Sequence, residues 1–253
     1  MSSNTSVAFG SGVLIATPAG ANPTPVQFGT MQDVSIDISF STKQLMGQYQ
    51  FPIAVARGEG KISGKAKYAN IDGAVFNSLF FGVTETVGQK LWSYNEAATI
   101  PSSTPWQVTV ANGATFDADL GVTYASSGLF LTRVAAAPTV GQYSVNTTTG
   151  VYTFSTTDAN KAILINYSYT QTTSGAKSII NNQVMGTAVT FQIDFYQKNP
   201  NVAGAQWSLR LYSCMASKLS VASKNSDFTV PELDFEAFAN AANNIGEINT
   251  ATA

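Results

Sequence analysis

VSIDISF, residues 34–40, reads as a strand before any other part of the chain does. Val34, Ile36, Ile38 and Phe40 fall on one side of an extended backbone, and Ser35, Asp37 and Ser39 on the other. That period of two is the pattern of a half-buried strand. Just beyond it, FPIAVARGEGKISGKAKYA (51–69) resumes the pattern as one long strand or two, with Ile62, Gly64, Ala66 and Tyr68 alternating with Lys61, Ser63, Lys65 and Lys67. The intervening STKQLMGQYQ (41–50) breaks the rhythm and contains no tight-turn dipeptide, so it reads as a long connecting loop. In the other direction, the stretch up to Gly29 is loose, with Pro18, Pro23 and Pro25 interrupting it.

After these strands comes the one good helix signal. Asn70 can cap a helix over 71–81, where Ile71, Val75, Phe76, Leu79 and Phe80 recur at helical spacing and Gly82 ends it. So wide an apolar stripe predicts a helix lying flat on a sheet.

Composition shifts toward Thr, Ser and Gly over 83–186. Short strands are expected at WQVTV (106–110), GLFLTRV (128–134), GQYSV (141–145), GVYTF (150–154) and AILINYSYT (162–170), separated by turns such as Asn112-Gly113 and Thr149-Gly150. This region reads as a β-rich insertion. AVTFQIDFYQ (188–197) and QWSLRLYSC (206–214) then form an expected antiparallel hairpin. Val189, Phe191, Ile193 and Phe195 face inward on its first strand, Trp207, Leu209 and Leu211 on its second. DFTVPELDF (227–235) is a further strand, which Pro231 assigns to an edge or bulge, and EAFANAANNIGEI (236–248) leaves room for one helical turn. The fold class is therefore mainly β, a sandwich or barrel-like core over 1–82 and 187–253 with a flanking helix and the insertion 83–186.

What the chain lacks narrows its function. Its 253 residues contain no histidine and one cysteine, which removes Ser-His-Asp and Cys-His nucleophiles, histidine-ligated metals and thiolate zinc cages. ARGEGKISGK (56–65) is not a phosphate loop, because Val55 stands at the first glycine position and Ile62 replaces the magnesium-binding hydroxyl. Asp117-Ala118-Asp119 lacks the later ligands of a calcium loop and reads as a solvated turn. Glu232 and Asp234 could serve glycoside hydrolysis but are not distinguished from an exposed strand face. The expectation is no enzyme, no cofactor and no metal. Cys214, in an apolar-alternating segment, is expected to be a buried thiol.

Thirteen basic against fifteen acidic residues, with no basic run, argue against tight nucleic-acid binding. No secretory signal or membrane helix is expected. Charged residues make up only 11%, against about 25% in ordinary domains, while hydrophobic ones reach 44%. A subunit that buries much of its surface in a polymer tolerates such a composition; a secreted β-domain can share it.

Two stretches, GTMQDVSIDISFSTKQLMGQYQFPIAVARGEGKISGKAKYANIDGAVFNSLFFG (29–82) and DFTVPELDFEAFANAANNIGEI (227–248), resemble the tail tube (major tail) proteins of long-tailed bacteriophages. GQYSVNTTTGVYTFSTTDANKAILINYSYT (141–170) is similar to phage structural proteins as well. The resemblance covers about half the chain. It implies subunits that form six-membered rings, stack, and give strands to a continuous barrel around a lumen for DNA. It also implies a location in the virion tail after synthesis in the host cytoplasm, contacts with a tape-measure or sheath protein, no membrane, and an insertion on the tube exterior.

Under that implication the lumen-facing candidates are Ser35, Asp37, Ser39, Lys61, Ser63, Lys65, Lys67, Thr190, Gln192, Asp194, Ser208 and Arg210; the alternative is a solvent-facing side of an ordinary sandwich. Leu45, Met46 and Tyr49 are the candidates for ring-to-ring contact, the alternative being a loop folded back on its own core. A different class of function stays open, an extracellular adhesive or carbohydrate-binding β-domain using Trp92, Trp106 and Tyr169 to stack on sugars.

Overall fold

A computed structural model describes residues 10–70, 73, 75–83, 85–198 and 206–251. The fold is mainly β. Strands β1 (Val13–Pro18), β2 (Val26–Gln27), β3 (Met31–Met46) and β4 (Pro52–Tyr68) precede a short helical segment, Val75–Phe81. Then follow β5 (Thr86–Thr99), β6 (Gln107–Thr109), β7 (Phe116–Tyr124), β8 (Thr132–Arg133), β9 (Gln142–Asn146), β10 (Val151–Phe154) and β11 (Ala162–Lys177). The chain closes with β12 (Thr190–Lys198), β13 (Gln206–Ser220), β14 (Glu232–Ala237) and β15 (Gly246–Ala251). Two compact units result, Met1–Glu85 with Ser178–Ala253, and Thr86–Lys177; the sequence reading set the inserted part at 83–186.

The first unit is an antiparallel sheet in the order β2-β1-β12-β13-β14-β4-β3, with β15 also on β13. Its two ends, Gln27 in β2 and Met31 in β3, are joined by so short a segment that they lie within about 14 Å. Seven flat strands would set them roughly 29 Å apart, so the sheet must curl. Backbone bonds hold the join: Phe28 N–H donates to Leu14 O, and Ala69 N–H to Thr30 O. Alternate residues then line the concave core: Leu14, Ala16, Ala66, Tyr68, Phe191, Ile193, Phe195, Leu209, Leu211, Cys214, Leu233 and Phe235. At Gly64 the register sets Phe235 directly opposite, and its ring occupies the space a β-carbon would need. Glycine in the apolar row of β4 is thus a packing choice.

Several expectations hold. Ile62, Gly64, Ala66 and Tyr68 face the core, β12 and β13 form the expected hairpin, and Cys214 is buried. Others need correction. A helical segment stands where one was expected and Gly82 ends it at φ +62°, but over Val75–Phe81 it winds with the wide π geometry rather than the α geometry. The wider turn aligns Phe80, five residues on, with Val75, so Leu79 and Phe80 both reach the core. Ile71, and the side chain of Phe76, lie outside the described residues. Residues 41–46, expected as loop, are strand; the turn is confined to 47–51. Alternation fails there because neither face is buried, not because the backbone leaves the sheet.

At the N-terminus, β1 is a sheet member whose short alternation, Leu14 and Ala16 inward, was hidden among prolines. β14 lies between β13 and β4, so it is no edge strand, and Pro231 sits just ahead of it, where its missing N–H costs nothing. The expected helical turn in 236–248 is instead the end of β14, a loop, and the start of β15; pairing with β13 overrides the local alanine content.

The second unit has a three-stranded sheet, β5-β11-β7, and a four-stranded sheet, β6-β10-β9-β8. Both contribute to one core of Ile100, Val110, Val122, Leu131, Tyr143, Tyr152, Phe154, Ile163, Ile165 and Tyr167. Its two ends leave side by side, since Thr86 pairs with Lys177 and its hydroxyl donates to Lys177 O at 3.2 Å. Four expected strands match β6, β9, β10 and β11, whereas 128–134 yields only β8 and a bridge from Phe130 to Thr123. β5 and β7 were not foreseen. Asp117 and Asp119, expected in a turn, belong to β7.

Candidate assembly surface

The side of the curled sheet turned away from its core gathers every residue expected on the polar faces. β3 supplies Ser35, Asp37 and Ser39, and the register sets them opposite Lys65, Ser63 and Lys61 of β4, with Lys67 next in the row. β12 adds Thr190, Gln192 and Asp194, and β13 adds Ser208 and Arg210, with Asp194 opposite Arg210. Sequence reading left Glu232 and Asp234 on an exposed strand face without joining them to this set, and did not single out Glu236. Glu232, Asp234 and Glu236 of β14 stand opposite Lys67, Lys65 and Ser63. The signal was present in ELDFEA, where three acids alternate with Leu233, Phe235 and Ala237.

These charges pair with one another. Lys61 meets Glu236 at 2.7 Å, Lys65 meets Glu232 at 2.9 Å, and Lys67 lies 3.7 Å from Glu232 and 3.8 Å from Asp33. Arg210 bonds Asp194 and approaches Glu247 at 3.5 Å. The hydrogen bond from Lys65 holds the Glu232 carboxyl below its ordinary range, and the same bond raises Lys65. Arg210 is raised chiefly by its bond to Asp194. Each basic group named here already has a carboxylate partner, so the face presents little unbalanced positive potential to a polyanion.

Beyond this face, β3 and β4 run on together as an arm. Thr42 pairs with Arg57, Gln44 with Val55, and Leu45 with Ala54. The core side of the hairpin continues outward without cover: Val34 and Ile36 are partly buried, whereas Ile38, Phe40, Met46 and Val55 are exposed. Arg57 lies over the Phe40 ring, 4.6 Å from its centroid. At the tip Tyr49 is 77% exposed and Phe51 82%. Leu45, Met46 and Tyr49 are thus all solvent-facing, and Phe51, Ile53 and Val55, which sequence reading did not single out, join them. β3 and β15 each keep one border without a strand partner among the described residues.

In the second unit, Asp119 and Asp158 are internal, whereas Asp117 is partly exposed and pairs with Lys90 at 2.7 Å. Asp119 accepts from the hydroxyls of Tyr143 at 2.7 Å and Tyr152 at 2.9 Å, and from Gly121 N–H at 3.1 Å. Burial, reinforced by that carboxylate, pushes both tyrosines well above their ordinary value. Asp158 accepts from Tyr124, Gly141 N–H and Lys161. Glu96 takes the Tyr167 hydroxyl at 2.6 Å and Ala111 N–H at 2.8 Å. Such saturated acceptors are structural pins. Of the aromatics considered for sugar stacking, Trp106 and Tyr169 pack against the core, and Trp92 is 68% exposed.

Burial drives the Cys214 thiol up to about 12. Among the described residues no group of three or more His, Cys, Asp or Glu side chains could hold a metal ion, and no helix is long and apolar enough to cross a membrane. A comparison with protein-family models and with curated proteins finds no match.

Proposed function

We propose that this chain is the structural, non-enzymatic subunit of a phage-type tail tube, self-assembling as stacked rings, six-membered by the resemblance, around a lumen for DNA. The observation that carries this reading is the β3–β4 arm, a long hairpin whose apolar side chains are uncovered in one copy. Water-exposed Ile, Phe, Val and Met side chains on paired strands favour association, and an open strand border gives it direction. Other copies are the partner that such a surface fits best. Tape-measure or sheath proteins are further partners under the same reading, and the virion tail is the place of action.

The polar face supports the lumen assignment through its electrostatics. Each phosphate firmly neutralised adds about 0.9 to the salt slope of binding, so a wall of free lysines would hold a duplex in place. Lysines already engaged by Glu232, Asp234 and Glu236 make a wall along which DNA slides. The inserted unit lies on the exterior under this reading.

Negative-stain microscopy and sizing of the purified chain test the proposal. Rings or filaments are expected, and the triple variant Leu45→Ser, Met46→Ser, Tyr49→Ser should stay folded and lose them. A monodisperse monomer at high concentration, even when offered tail partners, would overturn the reading. It would favour the adhesive or sugar-binding alternative, to which exposed Trp92 and Tyr94 on β5 lend support.

A further inference from the structure

We propose that the face of the β5-β11-β7 sheet turned away from its core binds a neutral oligosaccharide, held between Trp92 and Tyr94 on one side and Phe130 on the other. Trp92 and Tyr94 are alternate residues of β5, and both stand largely exposed. In register, Trp92 lies opposite Ser168 and Lys90 opposite Thr170, whereas Tyr167 and Tyr169 of β11 turn into the core. Alternation therefore puts both rings on the far side of the sheet from that core. Phe130 reaches the same face from beyond β7. Its backbone bridges to Thr123, and its exposed ring lies over Gly121, 3.4 Å from where a β-carbon there would stand.

The floor between these walls is polar. Asn166, paired with Gly121, accepts from Asn95 N–H at 2.7 Å and donates to Gly121 O at 3.4 Å, so one side chain ties both walls together. Ser168 donates to Asp117 at 2.8 Å, and Lys90 bonds the same carboxylate at 2.7 Å. β5 and β7 are two strand spacings apart, which sets the facing rings roughly 10 Å from one another across the sheet.

Three properties of this face select the occupant. Its charged groups, Lys90 and Asp117, cancel each other, so it lacks the positive groove along which a single-stranded nucleic acid would stack its bases. Its apolar surface is divided into separate rings by hydroxyl and amide groups, whereas a stable protein interface needs about 1,000 Å² with a continuous apolar centre. A neutral hexose chain fits both features. Its C–H faces are apolar and lie against aromatic rings, and its hydroxyl edges exchange hydrogen bonds with Ser168, Thr170 and the Asn166 amide. The inference goes beyond the tube reading and does not depend on it, since every residue named belongs to the inserted unit.

Calorimetric titration of the full chain with maltohexaose, cellohexaose, mannohexaose and chitohexaose tests it, with oligothymidylate and heparin as charged competitors. At least one neutral sugar should bind saturably, and neither competitor should displace it. Trp92→Ala and Phe130→Ala, on opposite walls, should each weaken that binding by about three- to tenfold. Both side chains are exposed, so denaturant unfolding of the variants should match the parent, and Trp92→Phe should recover part of the affinity. Absence of binding to all four sugars, full affinity in either alanine variant, or displacement by a competitor overturns the assignment. None of these outcomes bears on assembly, so the tube reading stands or falls separately.

Discussion

The inserted unit and the curled sheet use similar residues in opposite ways. In the inserted unit, Asp119 and Asp158 are interior and receive tyrosine hydroxyls, a lysine and backbone amides, and Tyr143, Tyr152 and Tyr167 fill the core around them. In the curled sheet the carboxylates of β14 are outside, trading charge with lysines in the open, while a row of apolar side chains runs off the core onto an arm that nothing covers. The inserted unit satisfies its buried carboxylates internally, while Trp92, Tyr94, Leu129 and Phe130 stay exposed on it. The curled sheet leaves an apolar arm exposed and a border of β3 without a strand partner among the described residues. A unit with a core of its own can be inserted between two segments of a sheet without disturbing it, provided its two ends emerge together, and Thr86 and Lys177 do so.

The contrast can be broken most sharply by separation. Residues 86–177 expressed alone should give a monomer with a single cooperative unfolding transition, whereas the chain with that segment replaced by a short linker should still form higher oligomers in sedimentation. Aggregation of the isolated segment would show that it, too, is incomplete.

Next in size is Asp119→Ala. It leaves the Tyr143 and Tyr152 hydroxyls without their acceptor inside the core, and should cost about 3 kcal/mol of unit stability in denaturant titration. A loss under about 0.5 kcal/mol would mean that water replaces the carboxylate.

A pH series sharpens the same point. Burial would raise the Asp158 carboxyl, but the bonds from Lys161, Gly141 N–H and Tyr124 outweigh it and bring it below its ordinary value. A depressed carboxyl contributes stability that is fully present above its unfolded pKa of about 3.9 and is lost as pH falls through the folded value. The inserted unit should therefore loosen in strong acid, and Asp158→Asn should flatten that part of the curve. Smallest of all, Lys61→Ala on the polar face should change stability by less than about 1 kcal/mol, because its pair with Glu236 is exposed and screened.

Much of the sheet was legible because burial writes itself into the chain as alternation. ISGKAKY, FQIDF and WSLRL each show one apolar and one polar row, and each occupies the strand and face that the row predicts. The arm was illegible for the same reason reversed. Residues 41–46 are strand with both sides in solvent, so no alternation is enforced and the stretch passes for loop. Asp119 was misread because a carboxylate in a Gly- and Thr-rich segment has the composition of a turn. The arrival of Tyr143, Tyr152 and Arg133 from elsewhere in the chain, with Gly121 N–H, makes its burial tolerable.

By itself, then, the order of residues determined which stretches are extended, which of their sides is apolar, and which chemistries are ruled out for want of histidine and a second cysteine. Those properties are local, set by neighbours two residues apart or by presence alone. Tertiary structure decided which polar groups neutralise one another and where the apolar row runs out of cover. Each depends on strands distant in sequence coming into register, and no local pattern encodes that register.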